Sequence, residues 1–120
     1  QFLRSQDELQ ALDLSNNSIH GFIPQWFANV TQESLHELDL SDNFLRGFEK
    51  PVMVLPWHNL EKLHLQHNQL RGSLPIPPSS MVIYHVFDNQ LVGSIPHQIC
   101  QATSMSYFDI SNNRLSGQMP

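Results

Sequence analysis

Each of the five glycines in this 120-residue chain stands four residues after an asparagine. The pairs are Asn17 and Gly21, Asn43 and Gly47, Asn68 and Gly72, Asn89 and Gly93, and Asn113 and Gly117, with the asparagines 26, 25, 21 and 24 residues apart. A period of this length constrains the fold more than local propensity does, because one such unit cannot bury a core alone and must stack on its neighbours. The apolar residues keep the same period. Leu9, Leu12 and Leu14 precede Asn17, Leu35, Leu38 and Leu40 precede Asn43, and Leu60, Leu63 and Leu65 precede Asn68. Met81, Tyr84 and Val86 stand in these places before Asn89, as Met105, Phe108 and Ile110 do before Asn113. The glycines predict a tight turn or a backbone approach that admits no side chain. An apolar-Pro pair follows in four copies, at Ile23-Pro24, Leu74-Pro75, Ile95-Pro96 and Met119-Pro120. The second copy runs Phe48-Glu49-Lys50-Pro51, so its turn is expected to be one residue longer.

Alternation of leucine with polar residues at period two marks a half-buried strand. Five strands are predicted, at residues 11–15, 37–41, 62–66, 83–87 and 107–111. They should stack in parallel at roughly 4.8 Å per step, with inward leucines filling one continuous core. The five asparagines end these strands, and a ladder of their amides is expected to satisfy backbone groups of their own and adjacent coils. The return side of each coil should be irregular or short 3₁₀ structure, packing Phe27 and Val30, Val54 and Trp57, or Ile99 and Ala102. Trp26 and Trp57 are read as packing residues of that convex side. Residues 28–34 are read as a polar insertion, and Pro75, Pro77 and Pro78 as leaving no room for a helix. The single domain divides at roughly 9–34, 35–59, 60–80, 81–104 and 105–120, with residues 1–8, including Phe2 and Leu3, as the tail of a preceding repeat. Without capping repeats, an internal fragment of a longer chain is expected.

Composition removes several functions. Six Lys and Arg against 11 Asp and Glu give a net charge of −5, which argues against nucleic acid or anionic membrane as the main partner. The longest apolar runs, residues 52–55 and 81–84, are four residues where a membrane span needs about 20. Residues 1–9 lack the order of a secretory signal, so any signal is expected upstream. No phosphate loop, zinc-type cysteine spacing or nucleophile motif occurs, so no enzyme and no cofactor is expected.

The spacing resembles the leucine-rich repeat, and its Leu-x-Gly-x-Ile-Pro extension is similar to the plant-specific class. The short proline-rich unit from Leu74 to Met81, the run Ile95-Pro-His-Gln-Ile-Cys100 and the run Phe108-Asp-Ile-Ser-Asn-Asn113 resemble plant receptor-like proteins of the disease-resistance type. These are membrane-anchored leucine-rich ectodomains without a kinase. The resemblance implies an uncapped leucine-rich-repeat solenoid on the extracellular side of the plasma membrane, in the apoplast. There it would bind a peptide, protein or glycan ligand, with a possible co-receptor kinase, in defence or developmental signalling. Membrane attachment would lie in segments outside this chain. A secreted inhibitor of a cell-wall-degrading enzyme, similar to the polygalacturonase-inhibiting proteins, and a receptor-kinase ectodomain are the alternatives. Related receptor-like proteins often carry a Cys after the next Ile-Pro, so Cys100 is expected to pair with a cysteine beyond this chain.

Stacked strands place equivalent residues in columns on the concave sheet. Asp13, Asp39, His64, His85 and Asp109 form one. Asn16, Asp42, His67, Asp88 and Asn112 form a second, which sets His67 between Asp42 and Asp88. Lys62, Ile83 and Tyr107 belong to a third, and Gln66 and Phe87 to a fourth. A solvated polar face is the plain reading. The sharper one is a ligand surface made of Lys62, His64, Gln66, His67, Ile83, His85, Phe87, Asp88, Tyr107 and Asp109, where apolar area lies beside cationic groups with no structural need for them. A metal site at His64, His67 and His85 would need a fourth ligand such as Asp88, and none is expected. Asn29-Val30-Thr31 and Asn16-Asn17-Ser18 are glycosylation sequons, with Asn29 favoured because it falls in the insertion.

Overall fold

The computed structural model describes residues 8–117. Phe2, Leu3 and the Met119-Pro120 pair lie outside the described residues. Strands β1 (Ala11–Asp13), β3 (Glu37–Asp39), β5 (Lys62–His64), β6 (Ile83–His85) and β8 (Tyr107–Asp109) form one parallel sheet in that order. Its register pairs Leu12 with Leu38, Leu38 with Leu63, Leu63 with Tyr84 and Tyr84 with Phe108. One apolar column therefore runs through the core. Leu38, Leu63 and Tyr84 are fully buried, while Leu12 and Phe108 in the outer layers are partly so.

The strands are three residues long rather than five. Inter-coil hydrogen bonds do continue past them, from Leu40 N to His64 O at 2.9 Å and from Asp42 N to Gln66 O at 3.0 Å. The chain nevertheless turns, because Asn16, Asp42, His67, Asp88 and Asn112 adopt the left-handed conformation with φ between 55° and 60°. Asn, Asp and His tolerate that region best among residues with a side chain.

From the second bend onward, the asparagine that follows ties two coils together. Asn43 Oδ1 accepts from Asn17 N and Ile19 N at 3.0 and 2.8 Å, and its Nδ2 donates to Leu14 O and Leu40 O. Asn68, Asn89 and Asn113 repeat the pattern, accepting from Leu45 N, Leu70 N and Leu91 N.

A second set of strands departs from the sequence reading. β2 (His20–Ile23) pairs with β4 (Phe44–Phe48), and β7 (Val92–Ser94) with β9 (Arg114–Ser116), both in parallel. The Leu-x-Gly-x stretch, read as a turn, thus forms a lateral sheet. All five glycines have positive φ, yet an added Cβ would meet nothing within 4 Å at Gly21. Backbone sign, not lack of room, calls for glycine there.

The returns differ from coil to coil. Residues 28–34 are not a polar insertion. A six-residue helix, α1 (Gln25–Val30), starts after Pro24 and buries Phe27 and Ala28. Thr31 is also buried, because its Oγ1 donates to Phe27 O at 2.6 Å and accepts from Trp57 Nε1 at 2.9 Å. Trp57 is fully buried and Trp26 packs against the core. Val54, expected to pack inward, is 53% exposed. It bridges to Ile76 across a third coil with no helix, where Pro77 and Pro78 remove donors. Tyr84 braces that short coil by donating to Pro75 O at 2.8 Å. Residues His97–Gln101 form the expected 3₁₀ return over Ile99.

Candidate functional site: the concave sheet

Three of the five strands end in the same local device. Asp13 Oδ1 accepts from Ser15 N at 2.9 Å, and Asp39 Oδ1 accepts from Ser41 N and Ser41 Oγ at 3.0 and 2.6 Å. Asp109 does the same with Ser111, at 3.0 and 2.7 Å. These bonds to the charged form hold the Asp13 and Asp109 carboxyls below the usual carboxylate range, with the serine hydroxyl the larger cause. Asp109, counted as a candidate ligand residue, is therefore engaged by its own turn.

β5 and β6 lack the device. His64 and His85 replace the aspartates, and Gln66 and Phe87 replace the serines. The two imidazoles meet edge to face with centroids 5.2 Å apart, and Phe87 packs 5.7 Å from His85 and 5.3 Å from His67. Partial burial and the nearby His64 push the His85 pKa below its ordinary value, and Asp109 opposes the shift. Gln66 Oε1 is shielded from solvent and accepts no hydrogen bond from the described residues. Ile83 is half-buried and Tyr107 is 62% exposed.

The remaining candidates have intramolecular partners. Lys62 Nζ lies 3.4 Å from Glu37 Oε1, and His67 Nδ1 lies 2.9 Å from Asp88 Oδ2. Asn112 Nδ2 also donates to Asp88. His67 and Asp88 occupy left-handed bends as well, so the view that nothing structural requires them is corrected for this column. His64, Gln66, Ile83, His85, Phe87 and Tyr107 remain as the group uncommitted to the fold. Among the described residues no cluster of three or more His, Cys, Asp or Glu is arranged to hold a metal ion.

A shallow depression of about 360 Å³ over β1, β3 and β5 is lined by Asp13, Glu37, Asp39, Lys62 and His64. The sequence reading passed over its acidic members. Their columns were visible, and carboxylates at Asp13, Glu37 and Asp39 on neighbouring strands were the available signal. The concave face thus runs from an acidic end on β1 and β3 to a histidine and aromatic strip on β5 and β6, with Tyr107 and Asp109 on the edge strand β8 beyond it.

A family model for the leucine rich repeat matches residues 7–70. The chain belongs to the leucine-rich repeat family. It is similar to receptor-like protein 7 of Arabidopsis thaliana, 38% identical over 120 residues, which are 100% of this chain and 12% of that relative. The solved plant peptide hormone receptor RGFR1, in complex with RGF2, superposes with a TM-score of 0.78 at 31% identity, over 93% of this chain and 18% of that one. A chain of the BIR3–SERK2 complex from Arabidopsis thaliana gives a TM-score of 0.78 at 30% identity, over 97% of this chain and 62% of that one.

The other candidate positions lie off this sheet or at its edge. Asn29 is exposed but sits in α1, with its Oδ1 accepting from Gln25 Nε2 at 2.9 Å, which corrects the expected loop. Thr31 of that sequon belongs to the Trp57 bond network. Asn16 is at the first left-handed bend and is exposed. Cys100 is exposed on the 3₁₀ return. No helix among the described residues is long and apolar enough to cross a membrane.

Proposed function

We propose that this chain is a ligand-recognition segment of a plant receptor-like protein, presenting its concave sheet outside the cell to a peptide or protein. The carrying observation is the loss of the Asp-x-Ser device on two adjacent strands, which frees His64, His85, Gln66 and Phe87 from any duty to the backbone. The acidic end on β1 and β3 suits a basic group of the ligand, and the histidine and aromatic strip on β5 and β6 suits an acidic or aromatic one. The complex of RGFR1 with RGF2 supports a peptide ligand, and the BIR3–SERK2 complex supports an ectodomain partner such as a co-receptor kinase. No catalysis is assigned. Carbohydrate at Asn29 and a bridge from Cys100 to a cysteine outside this chain are part of the same reading.

Placing a photo-crosslinking p-benzoylphenylalanine at Tyr107 of the secreted ectodomain tests it. Irradiation in extracellular plant fluid is expected to capture a peptide or protein that the same probe at Met53, 80% exposed and off the concave sheet, does not capture. Capture of glycan only, or the same products from both positions, would overturn the proposal.

A further inference from the structure

The second and third coils do not match in length, with 25 residues from Asn43 to Asn68 and 21 from Asn68 to Asn89. The lateral sheet is interrupted where they meet. β2 and β4 pair before the gap, β7 and β9 pair after it, and residues 71–73 between them form no strand. The longer turn at 48–51 and the proline-rich return at 75–78 leave a cleft of about 320 Å³ at the break. Its lining reaches the core at Leu65, Leu70, Val86 and Leu91, with Phe22 and Phe48 also lining it.

Arg46 and Arg71 line the same cleft from adjacent coils, each three residues after a ladder asparagine. Their backbones are joined by Arg71 N donating to Arg46 O at 3.2 Å. No Asp or Glu lines the cleft, and neither guanidinium has an ion pair or hydrogen bond among the described residues. Two cationic residues on neighbouring coils beside apolar walls complement an anion with an apolar body. Guanidinium forks match carboxylate geometry, and the volume lies within the ~300–1,000 Å³ of small-molecule sites.

We propose that the cleft between the second and third coils binds a small organic carboxylate, its apolar body against Phe22, Phe48 and Val52 and its carboxylate between Arg46 and Arg71. The site lies on the lateral edge, so its occupation is separate from ligand binding on the concave sheet.

The test uses two photoreactive probes on the secreted ectodomain, 4-benzoylbenzoate and its neutral analogue 4-(hydroxymethyl)benzophenone, with labelled residues mapped by mass spectrometry. Saturable labelling by the carboxylate around Val52 and Ser73 is expected, at about tenfold lower concentration than the neutral probe requires. Arg46→Gln/Arg71→Gln should erase that preference while leaving neutral-probe labelling and circular dichroism unchanged, and Arg46→Lys/Arg71→Lys should keep part of it. Both arginines are exposed, so the substitutions spare the core. Equal labelling by the two probes of the unsubstituted protein would mark a plain apolar groove and overturn the proposal. So would a preference that survives the double glutamine variant.

Discussion

Strands β3 and β8 lie in the same sheet as β5 and β6, but use their outward side chains differently. On β3 and β8 an aspartate turns back onto a serine two residues later, and both side chains serve the bend. On β5 and β6 the bend forms at the same place, with φ of 60° at His67 and 58° at Asp88, without that device. The asparagine ladder and the left-handed residue are therefore sufficient to turn the coil. The Asp-Ser pair is an added stabilisation, and where it is missing the outward residues answer to something other than the backbone. Positions one residue apart thus divide into those the fold requires and those it leaves free.

The largest contrast should come from the ladder. Asn68→Ala leaves the buried Leu45 N without its side-chain acceptor and takes one of two asparagine donors from each of the Leu40 and Leu65 carbonyls, which keep those of Asn43 and Asn89. A loss of roughly 2–4 kcal/mol is expected, because one orphaned buried donor costs about 1–3 and each further lost hydrogen bond about 0.5–1.5. His64→Ala, four residues earlier, should stay within about 0.5 kcal/mol. Urea midpoints at constant m-value in a capped array carrying these repeats measure both. Equal losses would abolish the distinction between required and free positions.

The bend column sharpens the contrast at intermediate size. His67→Val places a β-branched residue at positive φ and should cost about 1–2 kcal/mol, while His67→Asn should cost little. Both substitutions remove the imidazole that meets Asp88 at an exposed position, so most of their difference reports the backbone requirement. Hydrogen exchange of the His67 amide, which donates to Phe87 O at 3.2 Å, reports on it locally.

Restoring the device on β6 comes next. His85→Asp with Phe87→Ser should stabilise the array by about 0.5–1 kcal/mol through one new side-chain turn, and should abolish capture from the Tyr107 probe. A stabilised variant that still captures ligand would show that the concave site does not depend on the freed residues.

Period and alternation made the concave columns legible, because a residue's place relative to the ladder asparagine determines its direction. The registers Glu37 with Lys62 and Ile83 with Tyr107 follow from that alone. The structural nature of the bend column was legible too, since it contains only Asn, Asp and His. It was read as surface because surface columns use the same residues. The lateral sheet was not legible: β2 and β4 carry a glycine each, and a strand that pairs with another coil has no local signature beyond its neighbours. Nor was α1. It has no side-chain N-cap, and its burial depends on Thr31 meeting Trp57, 26 residues away. The cleft arises from a mismatch in coil length, visible as 25 against 21 residues but without an address until the lateral strands are placed.

The smallest expected effect is on pH dependence, and it belongs to the freed row. His85 faces His64 on β5 and Asp109 on β8, with Lys62, Asp39 and the His67–Asp88 pair on the surrounding strands. Burial first, and then His64, holds its folded pKa below the ordinary 6.5, against the pull of Asp109. Between the folded and unfolded values the unfolded chain binds the extra proton, so stability falls as pH drops through 6.5 and the penalty is complete below the folded value. Asp109 works in a lower window: its depressed pKa contributes stability above 3.8 that is lost only as pH falls through the folded value. The two groups therefore separate by pH although they are paired in register. Urea midpoints from about pH 5 to 8 should rise with pH in the unsubstituted array and rise less in His85→Asn, with the acid limb below the aspartate range common to both. An unchanged slope would assign the titration to another of the seven histidines and leave the β5–β6 row without a proton-linked property to set it apart from β3 and β8.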